Sequence, residues 1–365
     1  MCRLISRIVL ILGIFVIISG RQSRAAGFVS SVEEMKYQVT FGDSYHNYLP
    51  GSLLRIGVII KNNSSENVKI SQELVVVDSA GVNMWNTVIN LELQPKGSVT
   101  IPLMVPVGNL PGTFTLTTSA FQEDALIPNF VFNVIQPKKS LRLSKILVHT
   151  PDSEEDLNKF LKSWDIKAPT ISWGQVLLLG KKSWSQYDDG DKEIIQLVDR
   201  SLKREMSVIF IDFGPVGKLE DPLKKTALPY DVTVSFIKAK APEQEFVLKS
   251  DYKELIYDFS MPLMTSWNGR YGVNIPATDM RFEGSGVKII AYATTGENPF
   301  RFPIVELIPK NGKGKLYLSQ ILTEGRLDET VISPRRQSEL PTYDPMAVQF
   351  LLNLISTTVG DNLLK

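Results

Sequence analysis

Between residues 53 and 135 the chain repeats one pattern: short runs rich in Val, Ile, Leu and Thr, each broken by a cluster of Asn, Asp, Gly, Pro or Ser. Leu53 to Lys61, Val68 to Val77, Thr87 to Leu93, Ser98 to Val105, Gly112 to Ala120 and Asn129 to Ile135 are such runs. Within them polar and apolar residues alternate, as in Val88, Asn90 and Glu92 against Ile89, Leu91 and Leu93. A period of two gives a strand one dry face and one wet face, and evenly spaced strands of this kind close into a sandwich. Residues 35–136 are therefore expected to form an all-β sandwich.

The period then changes. Residues 137–142 read as a linker, because Pro137 has no N–H for a sheet ladder and Lys138 and Lys139 follow it. Beyond it Leu143 to His149, Gln175 to Leu179 and Ser207 to Asp212 are short continuous apolar runs, the signature of strands buried on both faces. Between them Ser153 to Trp164 and Asp191 to Glu205 carry helical spacing; Ile194, Ile195, Val198, Leu202 and Met206 repeat on one face of the second. Gly286 to Tyr292, Ile304 to Ile308 and Lys315 to Ile321 add strands, and Pro345 to Val359 a closing helix. Strands alternating with helices predict a mostly parallel α/β sheet over residues 143–360.

The chain's 365 residues suffice for about two domains. Residues 1–25 are expected to be a cleaved export signal: Arg3 and Arg7, an apolar run from Ile8 to Ile18, and small residues at Ser23 and Ala25. Its apolar run is shorter than the roughly 20 residues that cross a bilayer. No membrane span is expected in the mature chain, which would work in the periplasm or outside the cell. Cleavage near Ala25 removes Cys2, the only cysteine, and with it every disulfide, thiolate ligand and cysteine nucleophile. Lys+Arg 40 against Asp+Glu 39 leaves a net charge of +1, without the basic excess of a nucleic-acid binder.

Familiar chemistries find little footing. No glycine-rich turn joins the first strand of the second region to its helix, so no phosphate loop is expected. Gly312-Lys313-Gly314-Lys315 precedes a strand and reads as a hairpin turn, and Gly284-Ser285-Gly286 lacks the full nucleophile-elbow motif. His46 and His149 lie far apart. Asp188-Asp189-Gly190-Asp191 lacks calcium-loop spacing, and Asp189 or Asp191 is expected to cap the following helix. No catalytic residue, metal or cofactor is therefore assigned. The tryptophans are the remaining candidates, because aromatic faces stack on sugar rings; Trp164, Trp173 and Trp184 cluster, and Trp267 has polar and glycine neighbours that suggest a loop. Trp267, Asn268 and Arg270 are the expected ligand-binding residues, against the alternative that such tryptophans fill cores and interdomain joints.

Several stretches together resemble a known family. These are Lys145 to Pro151 with the helix to Trp164, Gln175 to Gly180, Ser266-Trp267-Asn268-Gly269, Gly312 to Gln320, and Tyr343-Asp344-Pro345 with Ala347 and Leu351 to Leu354. The second region resembles the class I glutamine amidotransferase-like accessory domain at the C-terminus of bacterial β-galactosidase-type glycoside hydrolases, where a β-sandwich often precedes it. The resemblance implies a multidomain chain: an N-terminal Ig-like sandwich, then an α/β three-layer domain of flavodoxin/amidotransferase-like form. The catalytic barrel of those hydrolases is not expected here, as the chain runs from leader to sandwich. Amidotransferase chemistry needs a cysteine at the elbow after a buried strand, where this chain has Asp212-Phe213-Gly214-Pro215. The expected function is non-catalytic binding or scaffolding in extracytoplasmic polysaccharide handling, with a polysaccharide or an envelope or secreted protein as partner. Two alternatives are a glycan or ester hydrolase with an unrecognised carboxylate site, and a cell-envelope protein-interaction component.

Overall fold

The computed structural model describes residues 36–359 apart from 43, 120–127, 170–173, 216–223, 240–241, 243–245, 249–266, 270–272, 274, 294–300, 311–313 and 332–341. The leader expected over residues 1–25 lies outside the described residues. Among those described, no helix is long and apolar enough to cross a membrane.

Eight strands come first: β1 (Tyr37–Phe41), β2 (Asn47–Tyr48), β3 (Leu53–Asn62), β4 (Val68–Asp78), β5 (Asn83–Leu93), β6 (Ser98–Pro106), β7 (Gly112–Thr118) and β8 (Phe130–Val134). They make a three-stranded sheet, β1-β3-β6, and a five-stranded sheet, β2-β8-β7-β4-β5. All pairings are antiparallel except the short parallel one between β2 and β8. In β3, Leu54, Ile56, Val58, Ile60 and Asn62 face inward while the residues between them are exposed or half-buried. The four apolar ones meet Leu74, Val76, Phe114, Leu116, Phe130 and Phe132 of the other sheet in one core. Fully burying each of these side chains contributes about 1.5–3 kcal/mol. Asn62 enters this core without loss, because its Nδ2 donates to the carbonyls of Glu66 at 2.7 Å and Gln94 at 2.9 Å.

Residues 137–142 do not swing free. Lys138 N donates to Gln349 Oε1 at 2.6 Å, and Gln349 Nε2 returns a bond to Lys138 O at 3.2 Å. Ser140 and Ser356 share a hydrogen bond of 3.0 Å.

The remainder adds β9 (Val148–His149), α1 (Glu155–Ser163), β10 (Val176–Leu179), α2 (Lys181–Asp188), α3 (Lys192–Lys203) and β11 (Ser207–Phe210). Then come β12 (Lys225–Leu228), β13 (Val232–Lys238), β14 (Phe246–Leu248), β15 (Thr278–Glu283), β16 (Val287–Ala293), β17 (Ile304–Leu307), β18 (Lys315–Ser319) and α4 (Pro345–Thr358). A seven-stranded sheet runs β14-β16-β17-β18-β11-β10-β9, and β12-β13-β15 form a separate antiparallel sheet. One face of the large sheet packs on α1 and α4, through Val148, Val176, Leu178 and Ile209 against Phe160, Phe350 and Leu351. The other packs on α2, α3 and the small sheet, through Leu177, Leu179, Val208 and Phe210 against Trp184, Val198, Val234 and Met280.

This corrects the expected α/β three-layer, flavodoxin/amidotransferase-like domain. Strand outweighs helix by 42% to 19%, and only four α-helices occur among the described residues. Only β9, β10, β11 and β18 are parallel; β17, β16 and β14 run antiparallel to their neighbours. Part of one face is covered by sheet instead of helix. The physical reason is that a continuous apolar run shows burial on both faces and says nothing of strand direction. Val232–Lys238, whose buried Val232, Val234 and Phe236 alternate with less buried neighbours, needs only one dry face and packs sheet on sheet. The expected strand from Leu143 is likewise shorter, since Leu143–Lys145 is a turn of 3-10 helix.

The helix ends follow their caps. Asp191 caps α3, accepting from Glu193 N at 2.8 Å. Asp344 caps α4, accepting from Met346 N at 2.8 Å, with Pro345 at the first helical position. The helix behind it is buried almost all round, which makes it the central support of the second region.

Candidate functional site

In an open sheet with parallel strands, ligands bind beyond the strands' C-terminal ends. Here that crest is closed by the protein's own acids. The Glu154 carboxylate sits on the N-terminus of α2, where Oε1 accepts from Gly180 N at 3.2 Å and Ser183 N at 2.6 Å. Helix N-termini present unpaired N–H groups and a partial positive charge, so a carboxylate is the natural stopper. Gly180 lets it approach, since a Cβ there would lie 2.6 Å from Glu154 Oε2.

Asp212 closes the elbow after β11. Its backbone is left-handed, with φ of 51°. Its carboxylate is buried and accepts from Thr323 N at 2.7 Å, Thr323 Oγ1 at 2.6 Å and Glu324 N at 3.0 Å. Burial outweighs these donors and pushes its pKa from 3.8 up to about 6. The folded protein thus holds a proton that the unfolded chain has released. Asp212 supports the fold best below the unfolded value and loses that support as pH rises through about 6. Over that window the contribution is ~3 kcal/mol. Asp212→Asn should flatten this part of the stability profile between acid and neutral pH, read by urea unfolding at stepped pH. An unchanged slope would contradict the assignment.

A cleft of about 650 Å³ opens beside the crest, between α1 and residues 325–331. Its lining includes Phe160 and Trp164 from α1 and its C-terminus, and Leu327 and Tyr343 opposite. Phe160 and Leu327 are buried, whereas Trp164 and Tyr343 are half-buried and leave ring surface at the opening. Exposed Asp156, Lys159, Asp328 and Glu329 edge it. Lys159 lies 3.9 Å from Asp156. Asp328 accepts from Thr330 N at 2.9 Å and Thr330 Oγ1 at 2.7 Å, which holds its carboxyl below the usual aspartate range. Tyr343 Oη donates to Glu329 Oε1 at 3.4 Å. Burial, then the charges of Glu329 and Asp344, push the Tyr343 phenol well above its ordinary value, so it stays a neutral donor. Apolar walls with a few polar groups at the mouth are the usual make-up of a small-ligand site.

Of the expected trio, Trp267 and Asn268 are not among the described residues that line this cleft. Trp267 is fully buried, packed on Phe350, with the Arg326 guanidinium 5.4 Å from its ring centre. Asn268 is buried in the joint between the sandwich and the large sheet. Its Oδ1 accepts from His46 N at 3.2 Å and Asn47 N at 3.1 Å. Its Nδ2 donates to Asn47 O at 2.8 Å and Tyr343 O at 3.2 Å. Its backbone N donates to Asp344 Oδ2 at 2.6 Å, and Asn47 Nδ2 reaches the same oxygen at 3.1 Å. Trp267 therefore offers no face to a sugar and fills the core of the second region, while Asn268 takes the interdomain joint. Arg270 lies outside the described residues, as does Trp173.

Of the other aromatic candidates among the described residues, Trp184 is buried among Tyr187, Phe210 and Phe213, and Trp164 reaches the cleft. His46 stacks on Phe130, and His149, its pKa lowered by burial, ends β9. Among the described residues no group of three or more His, Cys, Asp or Glu could hold a metal. Sequence reasoning missed Leu327, Asp328 and Glu329, which lie in an aperiodic loop. Tyr343 carries a signal only as the aromatic residue before the Asp344 cap.

No protein-family model matches the chain, and no curated protein does. Similarity to solved structures is slight. A β-glucosidase from Listeria innocua in complex with gluconolactone is 16% identical with a TM-score of 0.23, over 27% of this chain and 16% of that one. The CARDB domain of a Pyrococcus furiosus protein, in complex with di-metal ions, is 17% identical with a TM-score of 0.22, over 27% of this chain and 87% of that one. The alkylpurine DNA glycosylase AlkC of Pseudomonas fluorescens, bound to DNA, is 10% identical with a TM-score of 0.21, over 27% and 30%. The chain thus spans about a sixth of the β-glucosidase, and likenesses at these scores carry no argument about its fold, ligand or activity.

Proposed function

We propose that this is an exported, non-catalytic binding or scaffolding protein for polysaccharide handling outside the cytoplasm, and that the cleft between α1 and residues 325–331 holds the glycan. The observation that carries this reading is the contrast between the crest and the cleft. The crest, where a fold of this kind would place chemistry, is stoppered by Glu154 and Asp212. The cleft beside it is open and presents Trp164 and Tyr343 with carboxylates at its edge. Aromatic rings stack on the CH faces of pyranoses, and carboxylates accept from vicinal hydroxyls. Export rests on the leader, and the non-catalytic reading is supported by the lack of a cysteine nucleophile after the leader and, among the described residues, of a group of three or more His, Cys, Asp or Glu that could hold a metal. The Asp328 carboxyl, held below the usual aspartate range by its bonds from Thr330, is suited to accept hydrogen bonds and not to act as a general acid.

The mature protein should be retained by at least one neutral polysaccharide in affinity electrophoresis and should release no reducing ends from it. Trp164→Ala should weaken retention on the order of tenfold to a hundredfold; because the ring also packs on the core, Trp164→Phe, which keeps most of that packing, is the control for lost stability. Failure to bind any member of a broad glycan panel would sink the reading. Turnover that disappears in Asp328→Asn would replace it with the hydrolase alternative.

A further inference from the structure

Four strands end the two sheets of the sandwich, and they differ in how each edge is closed. β2 is two residues long and sits in the joint with Asn268. β1 has five residues. β6 carries Pro102 and Pro106, which lack the N–H that a further strand would need. β5 runs for eleven residues without a proline, lysine or arginine, and Glu92 is its only charge. Among the described residues it has a hydrogen-bonded neighbour, β4, on one side only. Proteins ordinarily guard their sheet edges with proline, lysine or short length, and a long, nearly uncharged edge is a template for another strand.

The side chains at this edge are incompletely covered as well. β5 and β6 end their sheets on one side of the sandwich, joined by the turn 94–97. Their inward residues Trp85, Leu91, Leu93, Val99, Ile101 and Leu103 are only half-buried. Leu54 and Ile56 of β3 and Leu74 and Val76 of β4, one strand further in, are buried. On the outer face Met84 is 49% exposed and Val88 53%. An apolar seam therefore lies beside the unguarded ladder.

The strand's own sequence fits this edge. Residues opposite each other in a sheet share a face, so β5 can meet a second β5 antiparallel only in registers that keep inward against inward. A two-fold axis at Val88, the midpoint of Asn83–Leu93, uses the full length. Val88 then opposes Val88, Asn86 opposes Asn90 and Met84 opposes Glu92 on the outer face. Thr87 opposes Ile89 and Trp85 opposes Leu91 on the inner one. Aromatic and branched side chains pair inward, amides pair outward, and the two Glu92 carboxylates lie at opposite ends, so no like charges face each other. Such self-complementarity is what an isologous contact requires. We infer that β5 is a homodimer interface: a second copy of this chain adds its own β5 antiparallel, joins two five-stranded sheets into one, and covers the seam at Trp85, Leu91 and Leu93. This holds whatever the cleft binds.

The experiment uses the chain from Ala26 onward, which has no cysteine of its own. Sedimentation velocity over roughly micromolar to hundred-micromolar concentrations should show a monomer–dimer equilibrium. Val88→Lys sets two ammonium groups face to face at the axis and should weaken association on the order of tenfold or more. The fold should tolerate lysine at this exposed position. Val131→Lys is the control: it is 41% exposed on β8 of the same sheet, three strands from β5, and should leave the dimer unchanged. Opposed residues of an antiparallel pair have Cα atoms about 4.5–5.5 Å apart, within the span of a disulfide. Mild oxidation should therefore convert Val88→Cys to a covalent dimer and leave Val131→Cys monomeric on a denaturing gel. A chain that stays monomeric at every concentration would overturn the inference. So would a dimer that Val88→Lys leaves intact, because another surface would then hold it. Should Val88→Lys not fold, the cysteine pair decides: cross-linking no faster in Val88→Cys than in Val131→Cys rejects β5 as the interface.

Discussion

Asn268→Ala should destabilise the protein by ~4 kcal/mol, because buried polar groups left unpaired cost about 1–3 kcal/mol each. The substitution removes the acceptor of His46 N and Asn47 N and the donor to Asn47 O and Tyr343 O. His46 and Asn47 belong to the sandwich and Tyr343 to the segment before α4, so both sides of the joint lose partners together. The isosteric Asn268→Asp should fare little better. It restores an acceptor but sets a carboxylate against Asn47 O and near the buried Asp344, whose own pKa burial already raises. Chemical denaturation of the three proteins checks this. A loss below ~1 kcal/mol in Asn268→Ala would mean that water or a local shift replaces the bonds.

Gly314→Ala should also cost about 4 kcal/mol or prevent folding, through overpacking against parts that have no room to yield. A Cβ at this position would lie 2.4 Å from Met206 O and 2.9 Å from Leu202 O, both backbone atoms at the end of α3. Gly314 is held there from two sides: its N donates to Leu202 O at 3.1 Å, and Tyr230 Oη donates to its carbonyl at 2.5 Å. Relieving the clash therefore means moving the start of β18 off α3. Gly81→Ala is the matched control. Gly81 has a φ of 80° but nothing within 4 Å, so alanine there should cost only the left-handed strain of ~1 kcal/mol. Similar losses at the two glycines would show that conformation, not space, dominates at Gly314.

Gly314 marks the reach of local sequence patterns. The repeated glycines before β18 suggest a turn with positive φ, yet at Gly314 the requirement is close approach to a helix end, which no local pattern encodes. Strands β3 to β8 were legible because each needs one dry face, and alternation records that directly. Helix α3 was legible for the same reason at a period of 3.6. Helix α2 was not, since its Trp184 and Tyr187 are its only large buried residues. In the small sheet, β13 alternates as clearly as the sandwich strands, but its partners β12 and β15 carry too few apolar positions among Lys, Thr, Asp, Arg and Glu to mark a sheet. Trp267 and Asn268 are buried for a physical reason that polar and glycine neighbours in sequence do not show: backbone groups of other elements saturate Asn268. Polarity in sequence marks a need for partners and does not say whether water supplies them. The cleft was half legible, through Trp164; its far wall comes from a loop whose position depends on Arg326, itself buried and bonded to the carbonyls of Asn268, Leu322 and Val273.

The docking of residues 138–142 on α4 has a mechanical consequence. Gln349 grips the backbone of Lys138 from both sides, as a neighbouring strand would, and Arg142 reaches the carbonyl of Val359 at the far end of the helix. With the Asn268 contacts, the sandwich is held at two separated points on one rigid helix, so rotation about the connecting segment would break bonds at both. A tethered pair of beads would let the cleft search many orientations around whatever the sandwich is attached to. This molecule instead acts as a bracket: the opening of the cleft points in one direction relative to the sandwich, and pulling on one part loads the other.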